Sequence, residues 1–173
     1  IKYNLNRQAN NLKFFEFGKI YSCASQEGCV ELEKLTILSC GMFSGSNWHQ
    51  SSQETDFFLV KGVLQKLVDK FLPNYRLNMH KITNSYSELA LSYCFNNQDF
   101  IELGKFSSQI LHKFSIKQPV YYIDINVDLF FSLVKLQKNI KYQPISKFPS
   151  VKRDLSIVVN QSVGYSDIEN SIM

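Results

Sequence analysis

Within two stretches near the start of the chain, residues 14–22 and 35–43, apolar residues recur at alternate positions, at Phe15 and Phe17 and at Leu35 and Ile37. This two-residue period is typical of β-strands with one buried face, so we predict two strands that pair as an antiparallel hairpin. Gly18 interrupts the first strand, where we expect a bulge or a close approach of another segment. Residues 2–10 show helical spacing, which predicts the tail of a helix before the hairpin.

A helical period replaces the alternation after residue 55. Thr55 is the expected N-cap of a helix, and Pro73 ends it. Apolar residues recur on one side between these two positions, at Val60, Val63, Leu64, Leu67, Val68 and Phe71. Lysines and other polar residues occupy the opposite side, so the pattern predicts an amphipathic helix that covers a sheet.

Strands dominate the next sixty or so residues. Alternating patterns predict strands over residues 76–82, 88–95, 100–106 and 120–127. A turn is expected at Asn96–Asp99, because Asn and Asp tolerate a positive φ. Helices are predicted at residues 108–114 and from Asp128, as N-cap, to Leu136. Runs of strands broken by occasional helices favour an α+β fold with a mainly antiparallel sheet.

The periodic pattern stops between residues 137 and 148, where Lys, Asn, Gln and Pro are frequent, and we place a domain boundary there. After Pro149 one more strand is predicted, with its apolar side chains at Leu155, Ile157 and Val159. So short a segment cannot bury a core of its own. We therefore predict one domain over residues 1–138 and the incomplete beginning of another over residues 139–173, as in an excised fragment.

Composition adds few constraints. With 45% hydrophobic and 20% charged residues and a net charge of +4, the chain is typical of soluble globular proteins, and no apolar run is long enough for a membrane span. Cys23 and Cys29 lack the further close-spaced ligands of a metal site. Cys40 and Cys94 are expected as reduced thiols, and a cytoplasmic location is the default for such cysteine usage.

Five short motifs lie along the chain. They are Tyr3-Asn4-Leu5-Asn6-Arg7, then Phe15-Glu16-Phe17-Gly18-Lys19-Ile20-Tyr21, then Gly41-Met42-Phe43-Ser44-Gly45 with Trp48, then Asp56-Phe57-Phe58 with Lys61-Gly62, and finally Phe148-Pro149 with Arg153-Asp154. Each motif is a weak signal alone, but their order and spacing over nearly the whole chain are specific. Together they resemble the C-terminal half of the bacterial phenylalanyl-tRNA synthetase β chain.

The resemblance implies a fold and a function. Residues 1–138 would form a catalytic-like but non-catalytic domain, with the antiparallel sheet of class II aminoacyl-tRNA synthetases flanked by helices. Residues from 139 onward would begin a ferredoxin-like anticodon-binding domain. A catalytic α chain would be the partner in an α2β2 complex that attaches phenylalanine to tRNA(Phe) with ATP and Mg²⁺. This piece would serve subunit association and tRNA positioning and would need no cofactor.

The residues themselves favour a piece without chemistry. Activation of a carboxylate by ATP needs positioned cations to stabilise the developing phosphate charge. Before residue 138 the only arginines are Arg7 and Arg76, and neither lies in a strand followed by an acidic partner. A P-loop is missing, because no Lys and Ser/Thr follow Gly41–Gly45. We therefore predict no catalytic, cofactor-binding or metal-binding residue here.

Two alternatives remain open at this point. The polar loop Gly41–His49 contains Ser44 and His49, so a small-molecule-binding or hydrolytic α+β enzyme is conceivable, although no nucleophile elbow is present. A scaffold that does not touch tRNA is the other alternative. Either would use the same sheet and helices in a different way.

Candidate contact residues follow from charge and apolar character. Lys147, Lys152 and Arg153 form the basic cluster that we expect at tRNA phosphates, although Arg153 is equally well explained by pairing with the neighbouring Asp154. Phe57 and Phe58 begin the amphipathic helix and are the candidates for the subunit interface, since an interface needs exposed apolar area.

Overall fold

A computed structural model describes residues 1–24, 28–49, 51–73, 75, 77–136, 147–149 and 151–172. The chain divides into two compact units, Ile1–Gln137 and Lys138–Met173. Every described strand belongs to the first unit. Among the described residues, no helix is both long and apolar enough to cross a bilayer.

The first unit is built on a six-stranded antiparallel sheet in the order β1-β2-β8-β7-β6-β5. The strands are β1 Leu12–Ala24, β2 Gly28–Cys40, β3 Met42–Ser44, β4 Gln53–Glu54, β5 Asn78–Ile82, β6 Ser87–Phe95, β7 Gln98–Phe106 and β8 Val120–Asn126. The helices are α1 Lys2–Leu5, α2 Phe57–Phe71, α3 Ser108–Lys113, α4 Val127–Leu136 and α5 Tyr165–Ile172. The predicted α+β fold is confirmed, and the short strands β3 and β4 form a separate pair.

The hairpin of β1 and β2 extends beyond the rest of the sheet. The two strands pair along their whole lengths, but β2 pairs with β8 only from Lys34 to Cys40. Residues 18–24 and 28–33 therefore form a projecting hairpin arm. Gly18 pairs regularly with Lys34, and a side chain built there would meet nothing within 4 Å. The expected bulge or close approach at Gly18 was wrong, because the arm is open on that side.

Glycine is required at position 41, directly after the end of β2. It joins β2 to β3 with a φ of +77°, and an added Cβ would lie 2.2 Å from the carbonyl oxygen of Asn10. A residue with a side chain would therefore meet both backbone strain and a collision there. The carbonyl oxygen of Gly41 accepts a hydrogen bond from the backbone N–H of Thr55 at 2.8 Å, which joins the end of β2 to the start of α2.

Helix α2 begins one residue later than its predicted cap. Asp56 is the N-cap, and its Oδ1 accepts from the backbone N–H of Leu59 at 2.7 Å. Thr55 is buried instead, with its hydroxyl 3.4 Å from that of Ser39. The carboxylate therefore satisfies the helix N-terminus, where negative charge is favourable. The buried residues of α2 belong to the predicted apolar side: Val60, Leu64 and Val68.

Helix α4 shows a similar displacement of its cap. Asn126 caps the first turn, since its Oδ1 accepts from the backbone N–H of Leu129 at 3.1 Å. Asp128, the predicted cap, lies inside the helix and accepts from the backbone N–H of Glu33 at 3.3 Å. The prediction of Asp128 as the cap was wrong, and its carboxylate instead ties α4 to the hairpin arm.

The two faces of the sheet have different cores. Helices α2 and α4 cover one face, and the cluster there includes Leu64, Leu103, Ile123, Ile125 and Phe130, all buried. Side chains alternate between the faces of a strand, so Val120 lies on the opposite face from Ile123. The second cluster is on that opposite face, at one end of the sheet, and consists of Leu12, Cys40, Leu111 and Val120.

The strand that we predicted after Pro149 is not found among the described residues of the second unit. The described residues 151–160 form no strand, although apolar side chains alternate there, and Leu155 and Val158 are exposed. A strand forms by hydrogen bonding to a neighbouring strand, and the described part of this unit provides none. Only α5 is regular in this part of the chain. The assignment of residues 139–173 to a ferredoxin-like domain stays a prediction.

Candidate functional site

Acidic and hydroxyl side chains form a row across the face of the sheet that α2 and α4 leave free. Thr36, Asp124 and Glu102 lie opposite one another on β2, β8 and β7. We call this surface the polar face. Asp124 Oδ2 lies 2.8 Å from Lys34 Nζ, and its Oδ1 accepts from the Thr36 hydroxyl at 3.0 Å. Both oxygens of this carboxylate therefore have partners within the chain.

Glu102 is the centre of a second network on the polar face. Its Oε1 accepts from Asn84 Nδ2 at 2.8 Å and from the Tyr122 hydroxyl, and both of its oxygens accept from the Tyr86 hydroxyl at 3.0 Å. Burial first, and then the hydrogen bond to Glu102, raises the pKa of Tyr86 to about 12. The same causes, in the same order, raise the pKa of Tyr122 above its ordinary value. Both hydroxyls therefore keep their protons and donate.

The ring of Tyr122 fills the middle of the polar face. It lies directly over Gly104, where an added Cβ would come within 2.5 Å of the phenol oxygen. The ring also stacks on Phe106, with centroids 4.5 Å apart and planes 28° apart. An aromatic side chain therefore occupies the space above this strand, and glycine at 104 is what lets it approach the backbone so closely.

Arginine is absent from the polar face in the described part of the chain. Arg7 lies beside α1, with its guanidinium 3.6 Å from the ring centre of Tyr3. Arg153 belongs to the second unit, and Arg76 lies outside the described residues. Lys34 is a cation that the structure describes on this face, and it is paired with Asp124. A surface that binds a polyphosphate presents free cations to it, because the phosphate charge has to be stabilised.

The other face carries an uncovered apolar groove beside the hairpin. Two adjoining cavities of about 320 and 220 Å³ lie between the hairpin and helices α2 and α4. Phe17 and Leu35 line both cavities, so the two form one groove. The apolar groove is defined by Phe15, Phe17, Leu35, Val63, Phe71 and Phe131. Because β1 is the edge strand and the helices lie over the inner strands, its phenylalanines stay exposed.

Exposure in the groove is large for aromatic residues. Phe15 and Phe17 are 71% and 61% exposed, and their rings meet edge to face at 6.4 Å. A contiguous apolar surface of this kind is typical of a protein–protein interface. Sequence reasoning treated Phe15 and Phe17 only as part of a motif. The signal that marks them is a pair of phenylalanines two residues apart on an edge strand.

The predicted interface residues Phe57 and Phe58 have different environments. Phe57 is half-buried and lies against the core cluster under α2. Phe58 is 77% exposed, and its ring meets that of Phe57 at 6.1 Å. Of this pair, Phe58 is the one with free apolar area for a partner.

The predicted tRNA-contact residues Lys147, Lys152 and Arg153 are all exposed and belong to the second unit. Among the described residues, no ion pair joins Arg153 to Asp154, so the guanidinium is available to solvent. Phosphate contact by these three residues stays a prediction.

The described loop from Gly41 to His49 brings together no serine and histidine in hydrogen-bonding contact. Within the described residues, the Ser44 hydroxyl is buried without a hydrogen-bond partner, so it makes none with His49. The His49 ring lies beside that of Trp48, at 5.4 Å, and Trp48 is almost fully exposed. Nucleophilic serine chemistry needs a base within hydrogen-bond reach of the hydroxyl. Nothing in the loop favours this alternative.

Known proteins resemble the chain over most of its length. The model of the family described as phenylalanyl tRNA synthetase beta chain CLM domain matches residues 1–127. The phenylalanine–tRNA ligase beta subunit of Aster yellows witches'-broom phytoplasma is 32% identical over 99% of this chain, which is 20% of that protein. The corresponding subunit of Dehalococcoides mccartyi is 28% identical over 92% of this chain, again 20% of its own length. The chain thus spans about a fifth of these curated relatives.

Solved structures agree on the fold. A pyrrolysyl tRNA synthetase from Desulfitobacterium hafniense superposes with a TM-score of 0.53 at 11% identity, over 77% of this chain and 47% of that one. At this identity the likeness concerns the fold alone, and it confirms the predicted sheet of the class II synthetase type. From the family match and the similar subunits it follows that the chain belongs to the phenylalanyl-tRNA synthetase β chain family.

Proposed function

We propose that this chain is a non-catalytic part of the β subunit of a phenylalanine–tRNA ligase. In the complete α2β2 complex, which we place in the cytoplasm, phenylalanine is attached to tRNA(Phe) with ATP and Mg²⁺. The work of this piece is association with the α chain and positioning of the tRNA. The observation that carries the proposal is the polar face, where Tyr122 fills the space above Gly104.

The residues that the structure describes on the polar face do not fit a nucleotide site. Stabilising phosphate charge requires free cations aimed at the phosphates, together with an open surface. On the polar face Lys34 is held by Asp124, and the Glu102 carboxylate is held by three donors. We therefore assign ATP and Mg²⁺ to the α chain, and no catalytic step to this one.

Association with the α chain is supported by the apolar groove. Phe15 and Phe17 expose most of their rings beside the two adjoining cavities of the groove. Phe58 on α2 is a further exposed ring. Aromatic residues are enriched at the energetic centres of protein interfaces. The similar proteins are named as subunits, which agrees with a partner chain.

Positioning of tRNA is supported by the exposed cations of the second unit. Lys147, Lys152 and Arg153 are solvent-accessible, and lysine and arginine bind phosphates without regard to sequence. Lys152 and Arg153 are neutralised together in the complete β chain. The slope of log tRNA affinity against log salt concentration should then become shallower, by the amount expected for the loss of about two phosphate contacts. Filter binding over a salt series measures the slope. A slope equal to that of the wild type would exclude phosphate contact at both positions.

A pyrophosphate exchange assay tests the absence of chemistry. The 173-residue chain, the α chain and the complete complex are each given phenylalanine, ATP and labelled pyrophosphate. We expect exchange from the complex and none above background from this chain. Exchange by this chain alone, abolished by Glu102→Gln, would show that the polar face is an active site and would overturn the proposal.

A further inference from the structure

Three side chains with metal-binding atoms meet at the edge of the sheet furthest from the hairpin. His80 on β5, Cys94 on β6 and Asp99 on β7 place an imidazole nitrogen, the thiol sulfur and a carboxylate oxygen within 4.8 Å of one another. His80 Nε2 lies 3.5 Å from Asp99 Oδ2. Cys94 is free and half-buried, whereas the other two side chains are about half exposed.

The register of the three strands creates this meeting. Asn78 lies opposite Cys94 and His80 lies opposite Ser92, so His80 and Cys94 are diagonal neighbours on one face. The pairing of β6 with β7 then shifts between Tyr93 and Cys94. An irregularity of this kind redirects a side chain, and it places Asp99 opposite Cys94.

A tight turn holds two of the three residues in place. Asn96 and Asn97 connect β6 to β7, and both have a positive φ, 50° and 62°. Two such residues form the short hairpin turn whose twist matches that of the flanking strands. Cys94 and Asp99 therefore flank a tight turn that fixes the spacing of their backbones.

The donor set selects a class of ion. We propose that His80, Cys94 and Asp99 bind one zinc ion, with water as the fourth ligand. Nitrogen, sulfur and oxygen donors suit zinc, whereas Mg²⁺ prefers oxygen ligands alone. Tetrahedral zinc holds its ligands roughly 3.3–3.7 Å apart. To reach that spacing, the half-exposed side chains of His80 and Asp99 would have to turn toward Cys94, whose thiol would lose its proton to solvent on binding.

A zinc ion at this place would join three consecutive strands. Among the described strands, β5 is the last of the sheet and pairs with β6 alone. A ligand that binds the folded chain and not the unfolded one stabilises the fold by mass action. The site would therefore fasten the edge strand, independently of ATP, the α chain and tRNA.

Metal titration of the 173-residue chain tests the site. Zinc binding is measured by calorimetry, and Co²⁺ replaces zinc to report a sulfur ligand through its thiolate charge-transfer absorption. We expect one ion per chain. Cys94→Ser should abolish the thiolate absorption and weaken zinc binding by more than about 100-fold, since loss of even an outer partner costs 10–100-fold. His80→Ala and Asp99→Asn should each weaken binding by at least about 10-fold.

Two controls make the outcomes decisive. His112→Ala changes an exposed histidine on α3 and should leave zinc binding unchanged. Zinc at about 100 times its dissociation constant should raise the Tm of the wild type by about 5–10 °C and leave that of Cys94→Ser unchanged. The proposal is overturned if the wild type binds no better than Cys94→Ser, or if the cobalt–thiolate absorption persists in that variant.

Discussion

The two faces of the sheet differ in the side chains that they expose and in how these side chains are paired. On the polar face Glu102 has three donors and Asp124 has two partners, and Tyr122 occupies the space between strands and solvent. On the other face α2 and α4 bury the inner strands but leave Phe15 and Phe17 uncovered. Glu102 and Asp124 therefore have their partners within this chain, whereas the other face exposes most of two aromatic rings.

This difference separates chemistry from assembly. A catalytic surface keeps charged groups partly unsatisfied and an opening for the substrate, because these groups act on the transition state. On the polar face, Glu102 and Asp124 are already hydrogen-bonded within this chain. An interface needs exposed apolar area, and the groove has it. The comparison of the two faces therefore supports the proposed role in assembly, because the exposed apolar area lies on the groove side.

The largest expected effect is a difference in the free energy of unfolding between replacing a buried and replacing an exposed apolar residue of α2. Leu64 is 1% exposed under α2, and Leu64→Ala should lower the free energy of unfolding by about 2–5 kcal/mol through lost burial and a cavity. Phe58→Ala, on the same helix, should change it by less than about 0.5 kcal/mol. Urea denaturation measures both. A large cost at Phe58 would mean that it supports the fold and is not free for a partner.

A smaller effect is expected where the polar face is filled. In Gly104→Ala the new Cβ would collide with the Tyr122 ring, which cannot move without leaving Phe106. We expect a loss of about 1–3 kcal/mol in the free energy of unfolding. In a double-mutant cycle with Tyr122→Ala, the double variant should lose less free energy of unfolding than the sum of the losses of the two single variants. Additive losses would show that the ring does not lie over Gly104.

The smallest effect concerns the tyrosine hydroxyl and pH. Tyr122→Phe should cost about 1 kcal/mol at pH 8, because Glu102 loses one of three donors. The pKa of Tyr122 is raised in the folded state, so its stabilising contribution is complete below its unfolded pKa near 10 and falls as pH rises further. The wild type should therefore lose more stability than Tyr122→Phe between pH 8 and 11.

A matched control isolates this pH effect. Tyr165→Phe removes an exposed tyrosine of the second unit and should follow the wild type at both pH values. The measurement is the free energy of unfolding at each pH. Equal losses in the wild type and in Tyr122→Phe would contradict a raised pKa at that hydroxyl.

Local periodicity accounts for what the sequence could predict. The strands of the first unit and helix α2 follow from alternation and from the helical spacing of Val60, Leu64 and Val68. The cap of α2 was displaced by one residue, because Thr55 and Asp56 are both good caps and burial of Thr55 decided between them. The strand expected at Leu155–Val159 has the right pattern, but a strand also depends on a neighbour that the pattern does not contain.

Features of the site depend on contacts between distant residues. The exposure of Phe17 depends on how far α2 and α4 extend over the sheet, which no local pattern gives. The filling of the polar face depends on Gly104 and Tyr122 lying opposite each other on β7 and β8. The meeting of His80, Cys94 and Asp99 depends on a register shift. The small number of arginines, by contrast, can be read from the sequence directly: they are Arg7, Arg76 and Arg153.

Association with the α chain tests the central claim most directly. Analytical ultracentrifugation measures the dissociation constant of the complex between this chain and the α chain. The wild type is compared with Phe17→Asp and with Ile20→Asp, a control on the opposite face of β1. We predict that Phe17→Asp weakens association by at least about 10-fold, which is about 1.4 kcal/mol, while Ile20→Asp leaves it unchanged. Equal affinity of the wild type and Phe17→Asp would contradict the assignment of the apolar groove to the α chain.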